Sequence, residues 1–560
     1  MRILTVVLFL SLLLSASGGA LVVTEQTTAP ALAAAERSAP TALAAAQQAT
    51  PPELAEKDSL ALARQTTPPR PADEDSSALG ICEGVVQLFK QHPGALWPGY
   101  DLAATPFIYY MPGKWALLLN HTDAAEDFGP YPDEWPKIGT DAQLHKGPYA
   151  NLEGQLAFDL AIGDAQVAAV PYEEERSSVD RVAFLVHENF HQYQYDHFGE
   201  IPWEREELYP IDDRENTALA YVEMRLLMDA LEAAKENDTG RCTARVKEFV
   251  AVRDHRWQRS DPFVARLEQG QELEEGTAKY VETKGVDLFA RLEYSSVLGD
   301  RASALDEGLA SINVYDYLLD EFRQRTKGNS VSPEDMPRNR IYPVACAQAI
   351  LLDYFGIDWK TKAQEAGPAF TFAGVFEDPL GVEKSDFPGL LKSARDAYGY
   401  STILAATDSL LREYEAGYAA ELKTFEGQKG CRFEIELSSK NLRRSRTSTA
   451  KKWLVERGST ELRSHFDVYS LESASDQTFL LQVHDTGVLE RNDWGAMTKK
   501  IVFFVPELAP VVVDGTELAK TSGRVEFESL EIAGEKMTFR CSKRGTIEKT
   551  DGRIVITLLP

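Results

Sequence analysis

Two histidines spaced four apart inside an apolar helical run set the tightest condition on how this chain can fold. Residues 177–191 read SSVDRVAFLVHENFH. Ser177 with Asp180 makes a variant of the capping box and Gly199 is a natural stop, so the segment predicts one helix. His187 and His191 then leave the same face one turn apart, a spacing that lets two imidazole nitrogens converge on one Zn²⁺ at about 2.0–2.1 Å. Glu188 lies roughly 100° around the axis, beside such an ion and not on it. From there its carboxylate can take a proton from a zinc-bound water and pass it to a leaving group. The flanking Leu185, Val186, Asn189, Phe190 and Gln192 carry no charge, as a buried ligand helix requires. The chain has only nine histidines. Random placement gives this pentapeptide on the order of once per hundred such sequences.

Three candidates compete for a third ligand. His197 stands six residues after His191, the spacing of the longer metzincin motif, but that motif needs glycine where Gln194 stands. A helix running to Gly199 turns His197 about 80–120° away from the pair. Glu215, with Glu223 behind it, opens the next helical segment, where an acid also suits the helix dipole. Glu275 sits in the run ELEEGTAKYVE, residues 272–282.

HENFH followed by EEGTAKYVE resembles the paired motifs of the thermolysin-like gluzincin zinc metallopeptidases (HExxH … EGxAxYxE). The resemblance implies His187, His191 and Glu275 as zinc ligands and Glu188 as general base. It also implies that Gly276 lets the third-ligand helix pack close to the histidine helix. It covers residues 177–285 well, the preceding segment loosely and the C-terminal part not at all. Two departures stand out. The separation between His191 and Glu275 is longer than in the best-known members, which makes the Glu215 helix an insertion, and Glu274 replaces the asparagine often found before the ligand. Hydrolysis of this kind also needs a donor for the developing oxyanion. Tyr342, at the head of an apolar helix over 343–355, is the candidate. The Gly-x-Met-Glu-Asn signature of aminopeptidases is absent, so nothing supports exopeptidase action.

The remaining sequence organises itself around this centre. Residues 1–20 carry Arg2, an apolar stretch and a small-residue exit, the pattern of a secretory signal. Residues 21–78 are rich in Ala, Thr, Pro and Gln and cannot bury enough surface to offset their ordering entropy, so they predict a disordered linker. Short alternating runs at 107–110, 115–120, 156–162 and 165–170 predict a small antiparallel sheet. Helical patterns follow at 178–198, 213–235, 241–258, 263–285, 303–325, 344–355 and 403–424. After Gly430 the pattern turns to strands at 432–437, 465–471, 478–484, 500–505, 510–513, 536–540 and 553–559, suggesting a separate sandwich or barrel-like domain. The basic run from Lys440 to Lys452 reads as an exposed polar loop.

Composition sets the outer limits. The net charge of −28 argues against a nucleic-acid partner, which needs a cationic face. Five cysteines are few and odd in number, so disulfides cannot carry the fold; Cys431 and Cys541, both in the strand-rich part, are the best pair. No stretch after the signal is apolar enough to span a bilayer. The expectation is an α+β, zincin-like fold: a catalytic domain over 79–425 and a β-rich accessory domain over 430–560. The expected function is that of a secreted or periplasmic zinc-dependent peptidase acting on a peptide or protein substrate. A non-catalytic exported binding protein retaining the zinc site, or a zinc hydrolase of non-peptide bonds, are the alternatives.

Overall fold

The computed structural model describes residues 73–292 and 313–560 apart from short stretches in loops. The signal and nearly all of the linker expected from the sequence lie outside the described residues. From Pro71 onward the chain forms one compact unit. Its first element, α1 (Asp73–Gln91), begins inside the stretch read as linker. Ala78, Leu79, Ile81, Cys82, Val85 and Val86 are wholly buried along it. Alanine-rich composition, which also fits a tether, hid this helix.

A six-stranded sheet follows, built from β1 (Phe107–Met111), β2 (Trp115–Leu119), β3 (Gly129–Pro130), β4 (Ala142–Lys146), β5 (Ala157–Ile162) and β6 (Ala165–Pro171). The strand order is β3-β4-β2-β1-β6-β5. It is not wholly antiparallel as expected, because β1 pairs β6 in parallel. The chain returns to β1 only after four other strands, and the closing partner β6 arrives in the same direction. β1 and β2 are buried along their whole length. β6 feeds directly into α2 (Ser178–His197), whose Ser177 cap accepts from the Asp180 backbone N–H. Gly199, at φ +74°, follows its end.

The helical part contains α3 (Arg214–Lys235), α4 (Thr239–Arg259), α5 (Pro262–Gln271), a π-helical turn over Glu272–Gly276, and α6 (Thr277–Phe289). Then come α7 (Val314–Arg325), α8 (Ile341–Tyr354), α9 (Lys360–Ala366), α10 (Phe372–Leu380), α11 (Phe387–Ala397) and α12 (Tyr400–Glu426). Asp213, Asp238 and Asp261 cap α3, α4 and α5 with their side chains, each satisfying an orphan backbone donor. The apolar side of α2 is held by an aromatic cluster. Trp97 lies 5.3 Å from Phe190, 5.4 Å from Phe198 and 5.1 Å from Trp359 between ring centroids. α6 crosses α2 where Gly285 meets Val186; a Cβ on Gly285 would stand 3.2 Å from Val186 Cγ1.

The C-terminal strands form one 13-stranded sheet, curved as a half-barrel, in place of a sandwich. Its central strands β7 (Cys431–Ser438), β11 (Phe479–Asp493) and β12 (Thr498–Val505) are antiparallel neighbours. The last strand, β19 (Arg553–Leu558), pairs β7 in parallel. The sheet is not set apart from the helices. Trp453 of β9 (Lys452–Val455) lies over Gly417 of α12, where a Cβ would meet its ring at 2.4 Å. The Tyr414 hydroxyl accepts from the Leu454 N–H at 2.8 Å. The basic run read as a loop is instead part of this sheet. Leu442–Thr447 (β8) and β9 both pair antiparallel with β10 (Thr460–Ser473). Cross-strand pairing overrides the charge of the sequence there. The expected Cys431–Cys541 bridge is absent, all five cysteines being free and buried. Cys541 belongs to β17 (Met537–Cys541), and β11 and β12 intervene before β7. Two intervening strands at about 4.8 Å spacing hold the pair beyond the roughly 7 Å that a disulfide spans. No helix among the described residues is long and apolar enough to cross a membrane.

Candidate metal centre

α2 brings His187 and His191 to one face, their ring centroids 4.9 Å apart and their planes at 80°. The π-helical turn before α6 places Glu275 against both. Its Oε2 lies 3.4 Å from His187 Nε2 and 3.6 Å from His191 Nε2. All three side chains are buried, and their ligand atoms lie within 4.8 Å of one another, so the group can hold a metal ion. Ligands at about 2.0–2.1 Å from a tetrahedral ion stand roughly 3.3 Å from each other, close to the separations found.

The far nitrogen of each imidazole is already engaged. His187 Nδ1 faces Glu282 Oε2 at 3.0 Å and His191 Nδ1 faces Gln194 Oε1 at 2.6 Å. An acceptor at Nδ1 keeps a proton there and turns Nε2 toward Glu275, where it would be the nitrogen to bind an ion once deprotonated. Both acceptors are themselves fixed. Lys279 donates to Glu282 Oε1 at 2.6 Å and the Tyr317 hydroxyl at 3.1 Å. Gln194 donates to the Glu274 carbonyl at 2.6 Å and to Thr277 Oγ1 at 2.7 Å. Arg338 takes the other oxygen of Glu275 at 2.7 Å, Glu206 at 2.6 Å and the Tyr342 hydroxyl at 2.9 Å.

These contacts govern charge. Burial alone would lower the basicity of His187, but Glu275 and Glu282 outweigh it and push its pKa to about 10. Burial also opposes ionisation of Glu282, yet Lys279 and His187 hold it at about 2. Glu275 likewise stays far below the usual carboxylate range despite its burial, held chiefly by Arg338 and the two histidines. Glu188 moves the other way, raised by burial in spite of the histidines. It is 5% exposed, and no described residue hydrogen-bonds to its carboxylate. Burial, reinforced by neighbouring Glu275, raises Glu274 to about 7.

The other candidates lie elsewhere. His197 remains on α2, stacked on Tyr193 at 3.9 Å with Nδ1 against the Tyr193 carbonyl at 2.8 Å. It never turns toward the pair because the helix does not break at Gln194. Glu215 faces Arg395 at 3.4 Å, its side chain 46% exposed. Glu223 is wholly buried between Arg253 and Arg256, at 2.9 and 2.6 Å. Tyr342 does come to the site, its ring parallel to His187 at 6.1 Å and 11°. Gly276 acts differently from expectation. A Cβ there would fall 2.1 Å from Ala345 Cβ on α8, so it admits α8, while Gly285 admits α2.

Arg338, Gln194 and Glu282 were missed as site residues in the sequence. Glu282 left a trace, seven residues after Glu275 on one helical face, and Gln194 follows His191 by three. Arg338 lies in an irregular turn with no periodic signal. No family model, curated protein or solved structure matches this chain.

Proposed function

We propose that this chain is an exported zinc-dependent peptidase with a zincin-like catalytic part. The observation that carries the reading is the buried, converging set His187, His191 and Glu275, with Glu188 beside it on the same helix. Two imidazoles and one carboxylate suit Zn²⁺, with a fourth position left for water or substrate. Zinc bound there supplies Lewis acidity and makes water easier to deprotonate near neutral pH.

The chain's own residues account for the rest. Glu188 is the general base: buried, unclaimed by any described donor and raised in pKa, it can accept a proton and return it to the leaving amine. Arg338 and Tyr342 both hold Glu275: the Tyr342 hydroxyl accepts from Arg338 and donates to the Glu275 carboxylate, and on releasing Glu275 it can donate toward a developing oxyanion instead. Phe158 of edge strand β5 closes on His191, edge-on at 6.0 Å, and limits water on that side. The leader-like residues 1–20 supply the route of export.

The test compares wild type with Glu188→Gln on a diverse peptide library, with zinc measured in both. Glu188→Gln should retain zinc and lose about 10²–10⁴-fold in rate, the usual effect of removing a general base. A zinc-loaded wild type that cuts nothing beyond what the mutant cuts overturns the reading in favour of a binding protein.

A further inference from the structure

Away from the helices, the half-barrel brings together a second set of metal-ligand side chains. His465 and Asp467 stand two apart on β10 and Asp485 on β11, and one ligand atom from each lies within 4.8 Å of the others. The ladder explains why they meet. Arg463 faces Val488 while Phe466 faces Thr486, so Ser464 and His465 together oppose the single residue Gly487. Such a bulge re-aims the side chains beside it. Glycine is needed opposite, because a Cβ there would fall 2.7 Å from the Ser464 carbonyl oxygen. Past the bulge, Phe466 faces Thr486 and Val468 faces His484, which sets Asp467 directly across from Asp485 on one face of the sheet. Like charges in that relation repel, and a cation between them relieves the repulsion.

Two groups of the chain already lie there. His465 Nε2 is 3.1 Å from Asp467 Oδ1. Lys536, on the turn between β16 (Leu530–Gly534) and β17, places its ammonium 2.5 Å from Asp485 Oδ2. The ammonium brings one positive charge against two carboxylates, whereas a divalent ion would meet both carboxylates and the imidazole. One nitrogen and two oxygen donors form a set that zinc accepts. The side chains of His465, Asp467 and Asp485 are 46%, 49% and 55% exposed, which lets an ion enter and water complete its shell.

We propose that His465, Asp467 and Asp485 form a second divalent-cation site, of the zinc class, that clamps β10 to β11, with Lys536 as the cation an incoming ion displaces. The proposal uses neither the peptidase reading nor the His187 centre. Its probe is zinc alone, titrated into the full chain in competition with a chromophoric chelator.

Wild type should bind about one zinc per chain more than His465→Ala or Asp467→Asn, whatever the other centre holds. His121→Ala, at a partly exposed histidine outside the strands, should match wild type. Lys536→Met should tighten the second site about five-fold, since a unit charge about 4 Å away in water is worth roughly 1 kcal/mol. Thermal unfolding without zinc verifies that each variant is folded. Equal stoichiometry in wild type, His465→Ala and Asp467→Asn overturns the site. A loss shared by His121→Ala means adventitious binding to surface histidines only, and overturns it too. Unchanged or weaker binding in Lys536→Met overturns the displacement of Lys536.

Discussion

The nitrogen that each histidine turns away from the centre decides what the other nitrogen can do. Glu282 and Gln194 occupy the two Nδ1 positions, so both Nε2 atoms face Glu275, and three ligand groups are oriented before any ion arrives. Arg338 completes this by holding one Glu275 oxygen, so that the other could serve a metal ion. Removing a ligand carboxylate and removing a surface one should therefore differ sharply. Glu275→Gln should weaken zinc binding by at least the 10–100-fold typical of outer-shell changes. Glu215→Gln, which loses only a half-exposed contact with Arg395, should leave it unchanged. Competition with a chelator measures both. If the Glu215 change strips zinc and the Glu275 change does not, the third ligand is wrongly assigned.

Among the elements, the π-helical turn has the largest consequence. An extra residue within a helix redirects the side chains after it, and here it sets Glu275 toward α2 while Glu272 reaches Arg253 at 2.6 Å. Arg253, Arg256 and Arg340 face Glu223, Glu268 and Glu272 in a balanced buried network, and that network anchors the turn from below. α8 presses on it from the other side at Gly276. Gly276→Ala should cost about 1–3 kcal/mol through overpacking, and Ala345→Gly in the same chain should recover most of it, since the two Cβ positions nearly coincide. Chemical denaturation of the single and double mutants measures this. No recovery would mean that the two helices are not in contact there.

The half-barrel has its own electrostatic pin. Glu434 meets Arg553 at 2.8 Å and Arg432 at 3.0 Å, with Lys500 on its second oxygen. Burial alone would raise its pKa, but these cations hold it at about 2 against an ordinary value of 4.5. A depressed carboxylate contributes stability that is present above its unfolded pKa and lost as the pH falls through the folded one. The contribution of Glu434 should therefore be complete above pH 4.5 and vanish toward pH 2. Glu434→Gln should flatten acid destabilisation in that window, read from thermal unfolding against pH. An unchanged slope would remove Glu434 from the account.

At the scale of the whole molecule, a close backbone contact brings the half-barrel to the turn beside the candidate metal centre. Gly458, at φ +70°, sits so close to the Glu207 carbonyl that a Cβ would fall 1.7 Å from it. Glu206, one residue earlier in the same short turn over Glu206–Leu208, is the residue that shares Arg338 with Glu275. Gly458→Ala should therefore destabilise the chain by roughly 1–3 kcal/mol, from the left-handed backbone and the clash together. It should also weaken zinc binding, although the position is not a ligand. Calorimetric unfolding with and without zinc reads both effects. A stability loss with undiminished zinc affinity would show that the sheet and the centre are not coupled by this route.

The sequence alone determined the parts that local periodicity encodes. It placed α2 and its cap, the face shared by His187 and His191, the position of Glu188, and the strand pattern after Gly430, because 3.6-residue and two-residue repeats are written in neighbouring residues. Glu275 was legible only as one of several acids, singled out by a resemblance. Tertiary structure decided the rest. It separated Glu275 from Glu215 and Glu223, delivered Arg338 from an unpatterned turn, gave Gly276 to α8 and Gly285 to α2, drew β1 and β6 into parallel pairing, and turned a basic run into strands of the half-barrel. Each of these depends on residues far apart in the chain meeting in space, and no local repeat carries information about which distant partner fills a given contact.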